Sequence, residues 1–211
     1  MGKGVSFFVA SFLYFASVAA AAPITYDVSV GTSSILSTAG SLDFNFNPGP
    51  LVTQFASLQI LNFTSDGTLA GSPMLTGDVS GALPGTVTFD NGTAFNDYFE
   101  GFTYGSTLSF LVSLDGPALS SPDGTSTSGS TFAFSMFSDA AGTMPALTTD
   151  MTEGFAFTVD VNLDGTTTVT NFSVQSTVVP ATPAVPEPGA LPLMAAAIGL
   201  WFAFRLRLQR R

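Results

Sequence analysis

With 211 residues the chain is long enough for one domain of ordinary size besides its ends, and the absence of Cys and His excludes disulfides, thiolate catalysis and histidine-based acid–base chemistry. All five bases lie in the first four and the last seven residues, whereas the 15 acids lie between Asp27 and Glu187, so nucleic acid and anionic lipid would be repelled. We therefore expect no nucleic-acid partner and no enzyme, since only carboxylates, hydroxyls, amides and backbone remain for catalysis.

Residues 1–22 have the order of a secretory signal peptide. Lys3 precedes an apolar, Phe-rich run over residues 5–22, which ends in four alanines before Pro23. Cleavage after Ala20 or Ala21 satisfies the small-x-small rule. A first transmembrane helix is the alternative. We expect export through the Sec translocon and removal of this segment by signal peptidase.

Residues 23–179 are expected to form an all-β domain, an antiparallel β-sandwich or jelly roll. Turn-forming Gly, Pro, Asn and Asp recur about every ten residues, and no stretch keeps a 3.6-residue period. Residues 107–114 alternate apolar and mostly polar side chains, as half-buried strands do. The nine candidate strands are residues 26–30, 42–46, 56–64, 86–89, 99–104, 107–114, 132–136, 155–161 and 169–177.

The many aromatic residues of these strands are expected to form the core. The alternative is a stacking platform for sugars, which would make the protein a secreted carbohydrate-binding module. Tyr98, Phe102 and Tyr104 are the best candidates for the exposed row that such a module needs.

One pair of acids could suggest glycosidase chemistry. Asp97 and Glu100 are three residues apart in a candidate strand, so their side chains are expected on opposite faces of the sheet. A glycosidase needs two carboxyl groups on one face of its substrate cleft. We therefore do not expect this pair to be catalytic.

The sharpest local motif is Asp160-Val-Asn162-Leu-Asp164-Gly165, which matches the opening of an EF-hand-type calcium loop. The twelfth position is Asn171 rather than an acid, and the flanking residues alternate as strands. These features favour a β-hairpin whose turn contains Asp164 and Gly165. Calcium bound by Asp160, Asn162 and Asp164 is the alternative, and no other cofactor is expected.

The C-terminal region has three parts: a Pro-rich linker over residues 180–188, an apolar run over 189–204 and a basic tail over 205–211. The apolar run is expected to form a transmembrane helix. Its 16 residues rise about 24 Å, less than the roughly 30 Å of a bilayer core. Basic flanks stay cytoplasmic, so the tail fixes the orientation. The tail arginines are Arg205, Arg207, Arg210 and Arg211.

The motif Val185-Pro186-Glu187-Pro188, the apolar run and the Arg-rich end together resemble the PEP-CTERM sorting domain of bacterial exported proteins. The resemblance covers about the last 27 residues. It implies that an exosortase recognises the Pro-Glu-Pro segment and removes the hydrophobic tail. It also implies transient anchoring in the inner membrane, then a cell-surface or extracellular-matrix location associated with exopolysaccharide and biofilm. A plain C-terminal anchor that is never cut is the alternative.

Overall fold

The computed structural model describes residues 22–182, which form two antiparallel β-sheets with almost no helix. The proposed signal peptide, except for Ala22, and the PEP segment, apolar run and basic tail lie outside these residues. Within residues 22–182, no helix is long and apolar enough to cross a membrane. The expectation of an all-β domain is confirmed.

Residues 22–182 contain thirteen strands, one 3₁₀ turn (Ser33–Ile35) and one short helix, α1 (Pro117–Ser120). The strands are β1 (Ile24–Gly31), β2 (Ala39–Pro48), β3 (Ser57–Ser65), β4 (Thr68–Leu69), β5 (Met74–Thr76), β6 (Val79–Gly81), β7 (Val87–Asp90), β8 (Asp97–Thr103), β9 (Thr107–Asp115), β10 (Ser130–Phe137), β11 (Phe155–Val161), β12 (Thr167–Asn171) and β13 (Ser176–Pro180).

The strands are divided between a six-stranded and a seven-stranded sheet. Sheet one has the order β13-β1-β9-β3-β7-β6. Sheet two has the order β12-β11-β10-β2-β8-β4, and β5 also pairs with β8. Neighbouring strands are antiparallel throughout, so one face of each sheet is free to pack against the other.

The core lies between the two sheets and is rich in Phe. Alternation in β9 places Phe110 on the inner face of sheet one, where it is buried. Its ring centroid lies 5.3 Å from that of Phe44 on β2 and 5.2 Å from that of Phe134 on β10, both in edge-on geometry. Such pairs add to the stabilisation that burial of their apolar area provides. The prediction that the Phe stripes form the core is confirmed.

The structure corrects the prediction of one strand over residues 169–177. This segment contains two strands, β12 in sheet two and β13 in sheet one. The side chain of Asn171 bridges the crossing: its Nδ2 donates to the Ser176 carbonyl (3.0 Å), and its Oδ1 accepts from Ser176 Oγ (2.6 Å). An Asn side chain can thus stabilise a crossing between sheets without Gly or Pro, the signals on which the prediction depended.

The outer face of sheet two is polar, but part of it is buried. On β2 the residues between Leu42, Phe44 and Phe46 are polar, and they point away from sheet one. Asn45 on that face is 8% exposed, and its cross-strand partner Asp97 on β8 is 9% exposed. Buried polar side chains need partners. This part of the outer face is therefore a candidate functional site.

Candidate functional site

The residues predicted to direct sorting lie outside the described part of the chain. They are the motif residues Val185, Pro186, Glu187 and Pro188 and the arginines Arg205, Arg207, Arg210 and Arg211. Their roles stay predictions from the sequence.

The structure forms the predicted hairpin at Asp160–Gly165. Strands β11 and β12 pair in register across it, and the backbone nitrogen of Asn162 donates to the Thr166 carbonyl (2.9 Å). Gly165 lies in the turn with a φ of 81°, and a Cβ there would approach the Leu119 carbonyl oxygen to 2.8 Å. The position therefore suits glycine for both conformation and space. The hairpin prediction is confirmed.

The three calcium candidates of this hairpin are engaged in separate hydrogen bonds. Asp164 Oδ1 accepts from the backbone nitrogen (3.0 Å) and Oγ1 (2.6 Å) of Thr166, and these bonds lower the pKa of Asp164. Asp160 Oδ1 accepts from Thr131 Oγ1 on β10 (2.6 Å). Asn162 uses its Nδ2 to donate to the hydroxyls of two threonines, Thr166 and Thr168. Calcium binding by these residues stays a prediction.

The aromatic row proposed for sugar binding is wrong. Tyr98, Phe102 and Tyr104 are all buried, and they belong to the core. Tyr98 and Phe102 alternate onto the inner face of β8, and the Tyr104 hydroxyl donates within the protein, toward the carbonyls of Ser41 (2.8 Å) and Phe137 (3.0 Å). The sequence pattern could not distinguish these buried rings from exposed ones. Strand alternation shows that a strand has two faces but does not show which face is buried.

Asp97 and Glu100 lie on opposite faces of β8, as predicted. Glu100 follows Tyr98 on the inner face and is buried, and both of its carboxylate oxygens have partners: Oε1 accepts from the Gly71 nitrogen (2.8 Å) and Oε2 from the Tyr98 hydroxyl. The Leu83 nitrogen in turn donates to the Tyr98 oxygen (3.0 Å). Burial, then the bond to Glu100, raises the pKa of Tyr98. This network satisfies a buried acid completely.

Asp97 instead joins a polar cluster on the outer face of sheet two, with Asp43 and Asn45 of β2. The carboxyl groups of Asp43 and Asp97 lie within hydrogen-bonding reach, and Asn45 Nδ2 donates to Asp43 Oδ1 (2.6 Å). Burial, then the hydrogen bond and the charge of Asp97, raises the pKa of Asp43 to about 9. Burial raises the pKa of Asp97 too, while the bond from Asp43 lowers it. The two carboxyl groups therefore titrate as a pair that keeps one proton well above the usual pKa of an Asp.

Two buried oxygens of this outer-face cluster (Asp43, Asn45 and Asp97) have no hydrogen-bond partner: Asn45 Oδ1 and Asp97 Oδ1. In residues 22–182 no three acidic side chains come together, so the cluster consists of two carboxyls and one amide. Sequence reasoning missed Asp43 and Asn45. Their spacing of two on one strand was visible, but the register that puts Asn45 opposite Asp97 was not.

A comparison with known proteins found no matching family model, no matching curated protein and no matching solved structure. The function of this chain therefore has to be inferred from its residues and from their geometry.

Proposed function

We propose that this chain is an exported, exosortase-sorted protein of the cell surface or extracellular matrix, without catalytic activity and associated with exopolysaccharide. The observation that carries the proposal is the order of features after the domain. The motif Val185-Pro186-Glu187-Pro188 precedes an apolar run over residues 189–204 and then four arginines. A signal-peptide-like segment over residues 1–22 supplies the matching export signal.

The physical steps follow from the two ends. The N-terminal segment directs the chain to the Sec translocon, and the apolar run stops transfer with the arginines on the cytoplasmic side. The β-domain then lies outside the inner membrane. The short apolar run gives a weak span, which suits a transient anchor that an exosortase removes next to the Pro-Glu-Pro segment.

The charge of the domain supports a role that uses no nucleic acid. Fourteen of the 15 acids and no base lie in the described residues. Loop carboxylates there accept hydrogen bonds from the backbone: Asp123 from the nitrogens of Thr125 and Ser126 (both 2.8 Å), and Asp139 from that of Thr143 (2.9 Å). These bonds hold acids in place without ion pairs, and the resulting negative field keeps the domain soluble.

The test is the intact mass and the cell fraction of the protein in its host. We expect the wild-type protein to lose both end segments and to leave the membrane fraction. Replacing Pro186, Glu187 and Pro188 by alanine should leave the tail attached and the protein in the inner membrane. The matched control is Pro183→Ala in the same linker, which should be processed like the wild type.

Two results would contradict the proposal. If the wild-type protein keeps residues 189–211, the tail is a permanent anchor. If the triple alanine variant is processed as fast as the wild type, the Pro-Glu-Pro segment is not the recognition signal.

A further inference from the structure

The outer-face cluster has buried oxygens that its own hydrogen bonds leave unsatisfied. Asn45 and Asp97 are both more than nine-tenths buried, yet Oδ1 of each has no partner. Leaving such an oxygen unpaired lowers stability, and a charged group costs more than a neutral one. Glu100, on the opposite face of the same strand, shows that this fold can give a buried acid a full set of donors. The cluster is different, because it has acceptors in excess and few donors.

A hard cation would satisfy all of these oxygens at once. The cluster brings together two carboxyl groups and one amide, which are the oxygen ligands that Ca²⁺ takes in proteins. Asn45 Nδ2 lies 2.6 Å from Asp43 Oδ1. A half-turn of this amide would put Asn45 Oδ1 beside the carboxylates, where a cation between the oxygens would be favourable.

We propose that Asp43, Asn45 and Asp97 bind one Ca²⁺ ion on the outer face of sheet two. The two carboxylates balance the charge of the ion, and the proton that they share is released on binding. The protein supplies at most five oxygens, and water completes a shell of six to eight. This coordination suits Ca²⁺ better than Mg²⁺, which demands near-ideal octahedral geometry. The inference does not depend on the proposed export and sorting.

The cluster is a better calcium candidate than the Asp160–Gly165 hairpin. In the hairpin, Asp164 accepts two bonds from Thr166, and Asp160 accepts a bond from Thr131. Binding calcium there would first break these hydrogen bonds. In the cluster, binding would replace the Asn45–Asp43 hydrogen bond and the shared proton, but Asp97 Oδ1 and Asn45 Oδ1 accept no hydrogen bond from an N–H or hydroxyl group. The hairpin acids Asp160 and Asp164 therefore serve as matched controls for the cluster acids in the experiment.

The test is isothermal titration calorimetry, in which calcium is titrated into the purified full chain in detergent. We expect one Ca²⁺ per chain with a Kd on the order of 10⁻⁴–10⁻³ M, the range of extracellular calcium modules. Asp43→Asn and Asp97→Asn should each weaken binding about tenfold or more, because each removes one charged ligand. Asp160→Asn and Asp164→Asn should leave the affinity unchanged.

A second measurement separates a bound ion from general screening of this acidic domain. CaCl₂ should raise the melting temperature of the wild type more than NaCl of equal ionic strength, and EDTA should reverse the rise. In EDTA, Asp43→Asn should melt no lower than the wild type, because Asn resembles a protonated Asp. The proposal is overturned if calcium stabilises Asp43→Asn as much as the wild type, or if only the hairpin variants lose binding.

Discussion

The two faces of strand β2 are both largely buried, but their chemistry is opposite. Leu42, Phe44 and Phe46 point inward and pack in an aromatic core. Ser41 and Asn45 point outward and are nearly as inaccessible. Burial of the inner face is favourable in itself, whereas burial of the outer face is tolerated only where each polar atom finds a partner. Strand alternation therefore separates apolar from polar side chains, but it does not separate buried from exposed ones. Polar atoms without a hydrogen-bond partner on the buried polar face mark a candidate site.

The largest effect is expected on the inner face. Phe44→Ala should lower the free energy of unfolding by about 3–5 kcal/mol, because it leaves a cavity among rings that cannot fully collapse. The centroid of the Phe44 ring lies 6.0 Å from that of Tyr98, 5.3 Å from that of Phe110 and 4.8 Å from that of Phe134. Urea unfolding measures this change. The control is Phe95→Ala, since Phe95 is 52% exposed and its loss should cost about 0.5 kcal/mol or less. Equal effects of the two substitutions would contradict the assigned core.

The second prediction concerns the satisfied acid on the inner face. Tyr98→Phe should cost about 1–3 kcal/mol, because it leaves one buried oxygen of Glu100 without its donor. Tyr26→Phe is the matched control. The Tyr26 hydroxyl forms a part-buried hydrogen bond with Thr167 Oγ1 (2.7 Å), and its removal leaves no buried acid without a donor, so the loss should be about 0.5–1.5 kcal/mol. Urea unfolding measures the loss of unfolding free energy for both variants. A Tyr98→Phe variant as stable as the wild type would contradict the role of the network.

The third prediction is a pH dependence of the outer-face cluster, measured in EDTA. The pKa of Asp43 is raised from 3.8 to about 9, so the folded protein keeps a proton that the unfolded chain releases. The unfolded state therefore binds fewer protons, and this contribution to stability is present at low pH and lost as pH rises from about 4 to about 9. The wild type should melt lower at pH 8 than at pH 5.

Asp43→Asn should remove most of that pH dependence, whereas Asp160→Asn should retain it. The facing ionisable group is Asp97, whose pKa burial also raises, so Asp97→Asn should act in the same direction. A wild-type melting temperature that rises between pH 5 and pH 8 would contradict the shared proton.

The smallest effect is expected at an exposed carboxylate, where water can replace lost bonds. Asp66 accepts from the nitrogen and hydroxyl of Ser106 and from the nitrogen of Thr107, and these bonds lower its pKa. Its contribution to stability is therefore present above about pH 4 and lost as pH falls. Asp66→Asn should lower the melting temperature slightly at pH 7 and by less at pH 2. Asp27→Asn, which removes the same charge from an exposed position, is the control and should cause no fall.

The sequence was sufficient to predict the fold class, most of the strands and the hairpin at Asp164 and Gly165, because these depend on local alternation and turn chemistry. It was not sufficient for β4, β5 and β6, which are two or three residues long and show no alternation. It also failed at the crossing from β12 to β13. There Val174, 91% exposed, interrupts the strand pattern without a Gly or Pro.

The outer-face cluster could not be predicted for a different reason. Asp43 and Asn45 show the spacing of a solvated strand face, and Asp97 lies more than fifty residues away in the sequence. Their meeting depends on the register between β2 and β8, and the burial of that face depends on the whole fold. Tertiary structure therefore supplies the information that distinguishes a candidate ligand from an ordinary polar surface residue.

The most direct test of the calcium proposal is a crystal structure of the protein with calcium, with anomalous diffraction to locate the ion. We expect one anomalous peak about 2.3–2.6 Å from oxygens of Asp43 and Asp97. Asn45 Oδ1 should be turned toward the ion. An empty cluster in which Asn45 Nδ2 still donates to Asp43, or a peak at Asp160 and Asp164 instead, would contradict the account.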